Sequence, residues 1–139
     1  VGGAISATLL SAGFGRHPGF NTWNANPLYS CFYIKNTNGT ARTYANIVIS
    51  PSRVGTAKST ITIGAVAAKN TAITVVNANT PYNAPAGVTF GTSVTLPGTL
   101  LQNEYFGIWL KRVPNTYSTY ASTSTADVPV RLSVSATYT

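Results

Sequence analysis

Residues 128–138 alternate along their whole length. Val128, Val130, Leu132, Val134, Ala136 and Tyr138 fall on one side, and Pro129, Arg131, Ser133, Ser135 and Thr137 on the other. A period of two with one apolar side is what a half-buried antiparallel strand requires. Residues 104–113 carry the same period in a richer form. Phe106, Ile108 and Leu110 share one face, while Tyr105, Trp109 and Lys111 lie on the other with Gly107. Two strands are predicted here, separated by a Ser/Thr/Tyr-rich loop over residues 115–126.

Shorter β-prone runs precede them. Residues 28–36 hold Tyr29, Cys31, Phe32, Tyr33 and Ile34. They run into Asn38-Gly39, a dipeptide that favours a hairpin turn, so residues 43–50 read as the next strand, stopped by Ser50-Pro51. Further candidates are residues 60–66, 72–76, 88–90 and 94–96, each bounded by polar residues or glycine. Residues 79–87, with Pro81 and Pro85, read as a loop, and Pro97-Gly98 as a turn. Short strands at regular spacing with Gly and Pro turns predict an all-β chain: an antiparallel β-sandwich, immunoglobulin-like or Greek-key, with a jelly roll as the main alternative.

The first 27 residues break the pattern. Gly13-Phe14-Gly15-Arg16-His17-Pro18-Gly19-Phe20 supports neither a helical nor a strand period. Residues 1–27 are therefore expected to form an extended N-terminal arm on a single domain, residues 28–139. Phe14, Phe20 and Trp23 are too large for such an arm to bury within itself, so they are expected to pack on the domain or on a partner, with Arg16 and His17 beside them. Val1-Gly2-Gly3-Ala4-Ile5 offers neither a basic nor a long apolar stretch, so a signal peptide is expected to be either absent or already removed.

Composition narrows the function. Only 8% of the 139 residues are charged while 44% are hydrophobic, against about 25% charged in an average globular protein. Thr, Ser, Asn and Tyr supply the polarity, which suits a protein that buries much of its surface in an assembly. Nine basic and two acidic residues give a formal charge of +7, a balance that steers the chain towards acidic partners. The basic residues are scattered, with Lys111-Arg112 the single adjacent pair. Direct nucleic-acid binding is accordingly not expected, and no stretch approaches the ~20 apolar residues of a membrane span.

The chemistry of catalysis is thinly represented. Glu104 and Asp127 are the only acids, His17 the only imidazole and Cys31 the only thiol. Paired carboxylates, an oriented nucleophile-base pair and a multi-ligand metal site each need more than this. No catalytic residue, cofactor or metal is expected. Glu104 reads as a surface residue opening a strand, Asp127 as the cap of a turn, and Cys31 as a small packed hydrophobe. Asn38-Gly39-Thr40 matches a glycosylation sequon but is better explained as the hairpin turn. Tyr117 and Tyr120 are candidates for packing between subunits, or for stacking on sugar rings.

Read as phrases, the chain resembles a family of small phage virion structural proteins. The matching phrases are Gly2-Gly3-Ala4-Ile5-Ser6; Tyr29-Ser30-Cys31-Phe32-Tyr33-Ile34-Lys35 with the following Asn36-Thr37-Asn38-Gly39-Thr40; Ile61-Thr62-Ile63-Gly64-Ala65; residues 79–90; and Gly107-Ile108-Trp109-Leu110-Lys111-Arg112. Where that family carries an acidic stretch ahead of the Cys-bearing strand, this chain has Arg16, His17 and neutral residues. The resemblance implies a non-enzymatic virion component. First among these is a capsid decoration (cement) protein held by the major capsid protein or other virion proteins, as a homo-oligomer or as lattice-bound copies. A tail- or fibre-associated protein, a surface carbohydrate-binding module and an extracellular filament subunit are the alternatives.

Overall fold

In a computed structural model the described residues are 27–53, 59–73, 84–114 and 130–139. They contain six strands and no helix: β1 Leu28–Lys35, β2 Tyr44–Arg53, β3 Ser59–Ala65, β4 Val94–Thr95, β5 Tyr105–Pro114 and β6 Val130–Tyr138. Two three-stranded antiparallel sheets result, ordered β1-β5-β3 and β4-β2-β6. They stack through their apolar faces as a β-sandwich.

β5 takes the middle of its sheet because both of its faces are apolar. Phe106, Ile108 and Leu110 point into the sandwich, and Gly107 and Trp109 point out, yet all five are buried. A strand apolar on one face only loses less by standing at an edge. β6 is such a strand, and it pairs with β2 alone among the described residues. Its alternation points Val130, Leu132, Val134 and Ala136 inward as expected, but only Val130 is fully buried. The core joins Ile63, Phe106, Ile108 and Leu110 of one sheet to Tyr44, Ile47, Ile49 and Val130 of the other. Each fully buried aliphatic side chain there contributes about 1.5–3 kcal/mol.

In β2 the core residues Tyr44, Ile47 and Ile49 do not keep a period of two. A bulge restores the phase. Ala45 lies opposite Thr137 and Val48 opposite Ser135, so Asn46 and Ile47 together face one residue of β6. Asn46 takes a left-handed φ of 51°, and its amide donates to Thr137 Oγ1 at 3.2 Å. The extra residue returns Ile47 to the face that Tyr44 already occupies.

Three details differ from the sequence-based expectation. β2 does not stop at Ser50-Pro51 but continues to Arg53, with Pro51 opposite Leu132. β4 pairs only with Val48 and Ile49, so by Pro51 that side of β2 has no described neighbour that needs its N–H. Residues 88–90 form no strand, and neither do Ala72 and Ile73; the rest of 72–76 lies outside the described residues.

The third difference is the link from β1 to β2, which is not a hairpin. The two strands belong to different sheets. Neither Asn38 nor Gly39 has the positive φ that a two-residue hairpin turn demands. Asn36 Oδ1 instead accepts the N–H of Asn38 at 3.1 Å, and Asn38 Oδ1 accepts that of Thr40 at 3.1 Å. Two such side-chain turns in succession carry the chain across the end of the sandwich.

Described residues between β3 and β4, among them Val66, Ile73, Val88, Thr89 and Phe90, lie against the outer face of the β1-β5-β3 sheet. Gly64 and Gly107 make the close approach possible. A Cβ on Gly64 would stand 2.5 Å from the Thr89 carbonyl oxygen, and one on Gly107 would stand 2.6 Å from Ile73 Cγ1. Val66 N–H donates to the Gly107 carbonyl at 3.0 Å, and Ile73 N–H donates to the Tyr33 hydroxyl at 2.6 Å. The Phe90 ring lies 5.7 Å from that of Tyr29.

Candidate interaction surface

β1 ends, β5 begins and β6 finishes at the same end of the sandwich, because antiparallel pairing sets Lys35 beside Tyr105 and Tyr44 beside Tyr138. Asn36 organises this end from within. It is buried, and its Nδ2 donates to the carbonyls of Arg42 at 2.8 Å and Leu100 at 3.1 Å. Its own N–H donates to the Glu104 carbonyl, and its carbonyl accepts the N–H of Asn103. A buried amide in a low-dielectric site must satisfy this valence, so the loops on either side are held in one arrangement.

Glu104 is the second organiser. Its Oε2 accepts from Lys69 Nζ at 2.7 Å and from the Leu101 N–H at 2.8 Å. Lys69 Nζ also reaches the Thr99 carbonyl at 3.2 Å. The Lys69 hydrogen bond, then that of the Leu101 N–H, holds the Glu104 carboxyl below its ordinary range. Beside it, Asn70 and Tyr105 exchange two bonds, Asn70 N–H to the Tyr105 carbonyl at 2.8 Å and Tyr105 N–H to Asn70 Oδ1 at 3.1 Å. Glu104 does not open the strand but stands immediately before β5, which begins at Tyr105, and it is a clasp between two loops and not a free surface acid.

Around these organisers lie the exposed large hydrophobic residues. Tyr33, Leu101 and Tyr138 are 47%, 47% and 57% exposed, and all three belong to this end of the molecule. The Arg42 guanidinium sits 4.7 Å from the centre of the Tyr138 ring, and the Tyr44 ring of the paired strand β2 lies 6.0 Å from that ring. Tyr33 meets Tyr105 edge to face at 5.2 Å. Lys35 and Arg42 are exposed among them, so the surface is aromatic and cationic, with Glu104 already engaged by Lys69.

Cys31 lies in β1 opposite Trp109 and is partly buried. Burial pushes its thiol up, away from the thiolate form, as suits a packed side chain. Among the described residues no group of three His, Cys, Asp or Glu side chains comes together to hold a metal, and no helix is long and apolar enough to cross a membrane.

Phe14, Arg16, His17, Phe20, Trp23, Tyr117 and Tyr120, the residues singled out from the sequence for partner binding, lie outside the described residues, as does Asp127. The sequence reading did not single out Tyr33, Leu101 or Tyr138. A signal existed in Leu100-Leu101, since a strand-like doublet can bury only one of its two side chains. Tyr138 was grouped with the apolar face of the last strand, and it does point that way, but beyond the end of the core. Compared with known proteins, the chain matches no family model, no curated relative and no solved structure.

Proposed function

We propose that this chain is a non-enzymatic structural component of a phage particle, a capsid decoration protein that docks on the major capsid protein through the aromatic, cationic end of its sandwich. The observation that carries this reading is the placing of exposed Tyr33, Leu101 and Tyr138 with Lys35 and Arg42 at one end of the sandwich. Anchors held on strands, as Tyr33 and Tyr138 are, or on a hydrogen-bonded turn, as Leu101 is, lose little freedom on docking, and flanking cations complement an acidic lattice. The phrases in which the sequence resembles phage virion proteins are a second support for the reading. Those in residues 29–40, 61–65 and 107–112 belong to β1, β3 and β5 and the turns that follow β1, and so to one sheet.

The test is re-addition to particles stripped of this protein. Wild-type chain is expected to rebind, and Tyr138→Ala combined with Leu101→Asp to rebind at least about tenfold more weakly, while melting at the same temperature. Binding by the double variant equal to wild type would remove this surface from the reading. A density map of the intact particle that lacks the chain would remove the reading itself.

A further inference from the structure

With β1 and β2 in different sheets, Asn38-Gly39 is not needed as a hairpin turn. Asn38 is the one asparagine of the chain that glycine follows. Every other asparagine is followed by a residue with a Cβ, which crowds the next peptide nitrogen, whereas Gly39 leaves that nitrogen open. The surroundings keep it open too. Gly39 is exposed, a Cβ built on it meets nothing within 4 Å, and among the described residues its N–H makes no hydrogen bond. The Asn38 amide, by contrast, is engaged at both of its polar atoms. Oδ1 accepts from the Thr40 N–H at 3.1 Å and from the Thr40 hydroxyl at 2.9 Å, and Nδ2 donates to the Tyr44 hydroxyl at 3.3 Å. A side chain bonded to the residue two places on lies alongside the peptide between them, which is that of Gly39. The Asn38 backbone is fixed as well, its N–H by Asn36 Oδ1 at 3.1 Å and its carbonyl by Gln102 Nε2 at 2.8 Å.

We infer that Asn38 is a site of self-modification, at which the fold assists conversion of the side-chain amide to a carboxylate through a cyclic imide. The Gly39 nitrogen gives its proton to hydroxide and bonds to Asn38 Cγ, and the negative charge passes to Oδ1. Both Thr40 donors are already directed at that oxygen, so they stabilise the oxyanion as preorganised dipoles do. The Cγ–Nδ2 bond then breaks, and Nδ2 departs as ammonia with a proton from water, which restores the hydroxide. Water opens the imide at either carbonyl and leaves aspartate at position 38 or an isoaspartyl linkage to Gly39. Either product sets a carboxylate in the crossing that carries Arg42, so this end of the sandwich loses positive character as the chain ages.

This inference concerns the isolated chain and does not rest on the virion reading, so the two can fail separately. The full chain is held at mildly alkaline pH, and peptides covering position 38 are followed by mass spectrometry, with isoaspartate separated by chromatography. Wild type is expected to convert at Asn38 while Asn36, Asn46, Asn70 and Asn103 keep their amides. Thr40→Val retains the backbone donor and the shape of the side chain but removes the hydroxyl. It is expected to convert about tenfold more slowly, a smaller loss than in a dry oxyanion site because this turn is exposed. Thr40→Ser, which keeps the hydroxyl, is expected to convert as wild type does, and Gly39→Ala, for which the fold has room, to be slowed at least as much as Thr40→Val. In the urea-unfolded chain the wild-type and Thr40→Val rates are expected to coincide. No conversion at Asn38 in wild type, or a folded Thr40→Val chain that converts as fast as wild type, would overturn the inference. A hydroxyl effect that persists in urea would overturn it too, since it would belong to the local sequence and not to the fold.

Discussion

Asn36 and Leu100, 64 positions apart, are joined by a hydrogen bond of 3.1 Å from a buried side-chain amide to a backbone carbonyl. The bond ties the crossing from β1 to β2 to the turn that enters β5, and the exposed residues Leu101 and Arg42 flank its two ends.

Replacing Asn36 by alanine removes this partner from the Arg42 carbonyl and the Asn38 N–H, and leaves the Leu100 carbonyl with the Tyr44 N–H alone. The expected loss is about 3 kcal/mol, since each buried polar group left unmade costs about 1–3 kcal/mol and solvent reaches part of the site. Urea unfolding of Asn36→Ala measures it directly. A midpoint equal to wild type would mean that the crossing is held by something else.

Glycine substitutions should separate by what stands over them. Gly64→Ala drives a Cβ against the Thr89 backbone, and Gly107→Ala drives one against the Ile73 side chain. A backbone yields less readily than a side chain, so the first should cost more, within the ~1–3 kcal/mol range of overpacking. Gly39→Ala meets nothing within 4 Å and has no positive φ. It is expected to be close to neutral, and thermal melts of the three variants give the order.

Stability should fall on the acid side through Glu104. Its folded-state pKa is depressed by the Lys69 and Leu101 hydrogen bonds, so the folded protein holds that proton less tightly than the unfolded chain does. The contribution is complete above the unfolded value and is lost as pH falls through the depressed folded one. Glu104→Gln should flatten that acid limb in melting temperature against pH, and an unchanged limb would show that the clasp carries none of it.

Core position should outweigh apolar identity. Ile108→Ala, fully buried on the central strand β5, is expected to cost about 4 kcal/mol, and Leu132→Ala, partly buried on the edge strand β6, about 2 kcal/mol. Chemical denaturation of the pair tests this, and a larger loss at Leu132 would mean that its surroundings are more closed than the described residues show.

Local pattern was enough to place β5 and β6 and the face each turns inward. Phe106, Ile108 and Leu110, or Val130, Leu132 and Val134, declare a face because side chains on a strand alternate regardless of what lies opposite. The left-handed turns were legible only in kind. Among the described residues every non-glycine with positive φ is an asparagine, at 46, 70 and 103, yet the chain has other asparagines that do not adopt it. Whether Asn38-Gly39 made a hairpin or a crossing between sheets was decided by Asn36, whose amide finds carbonyls that arrive from distant sequence. Tertiary structure alone also decided which strands stand at edges, which alternating residues are fully buried, and which aromatic residues are left exposed at one end. Alternation is a property of one strand, whereas burial depends on neighbours supplied by another part of the chain.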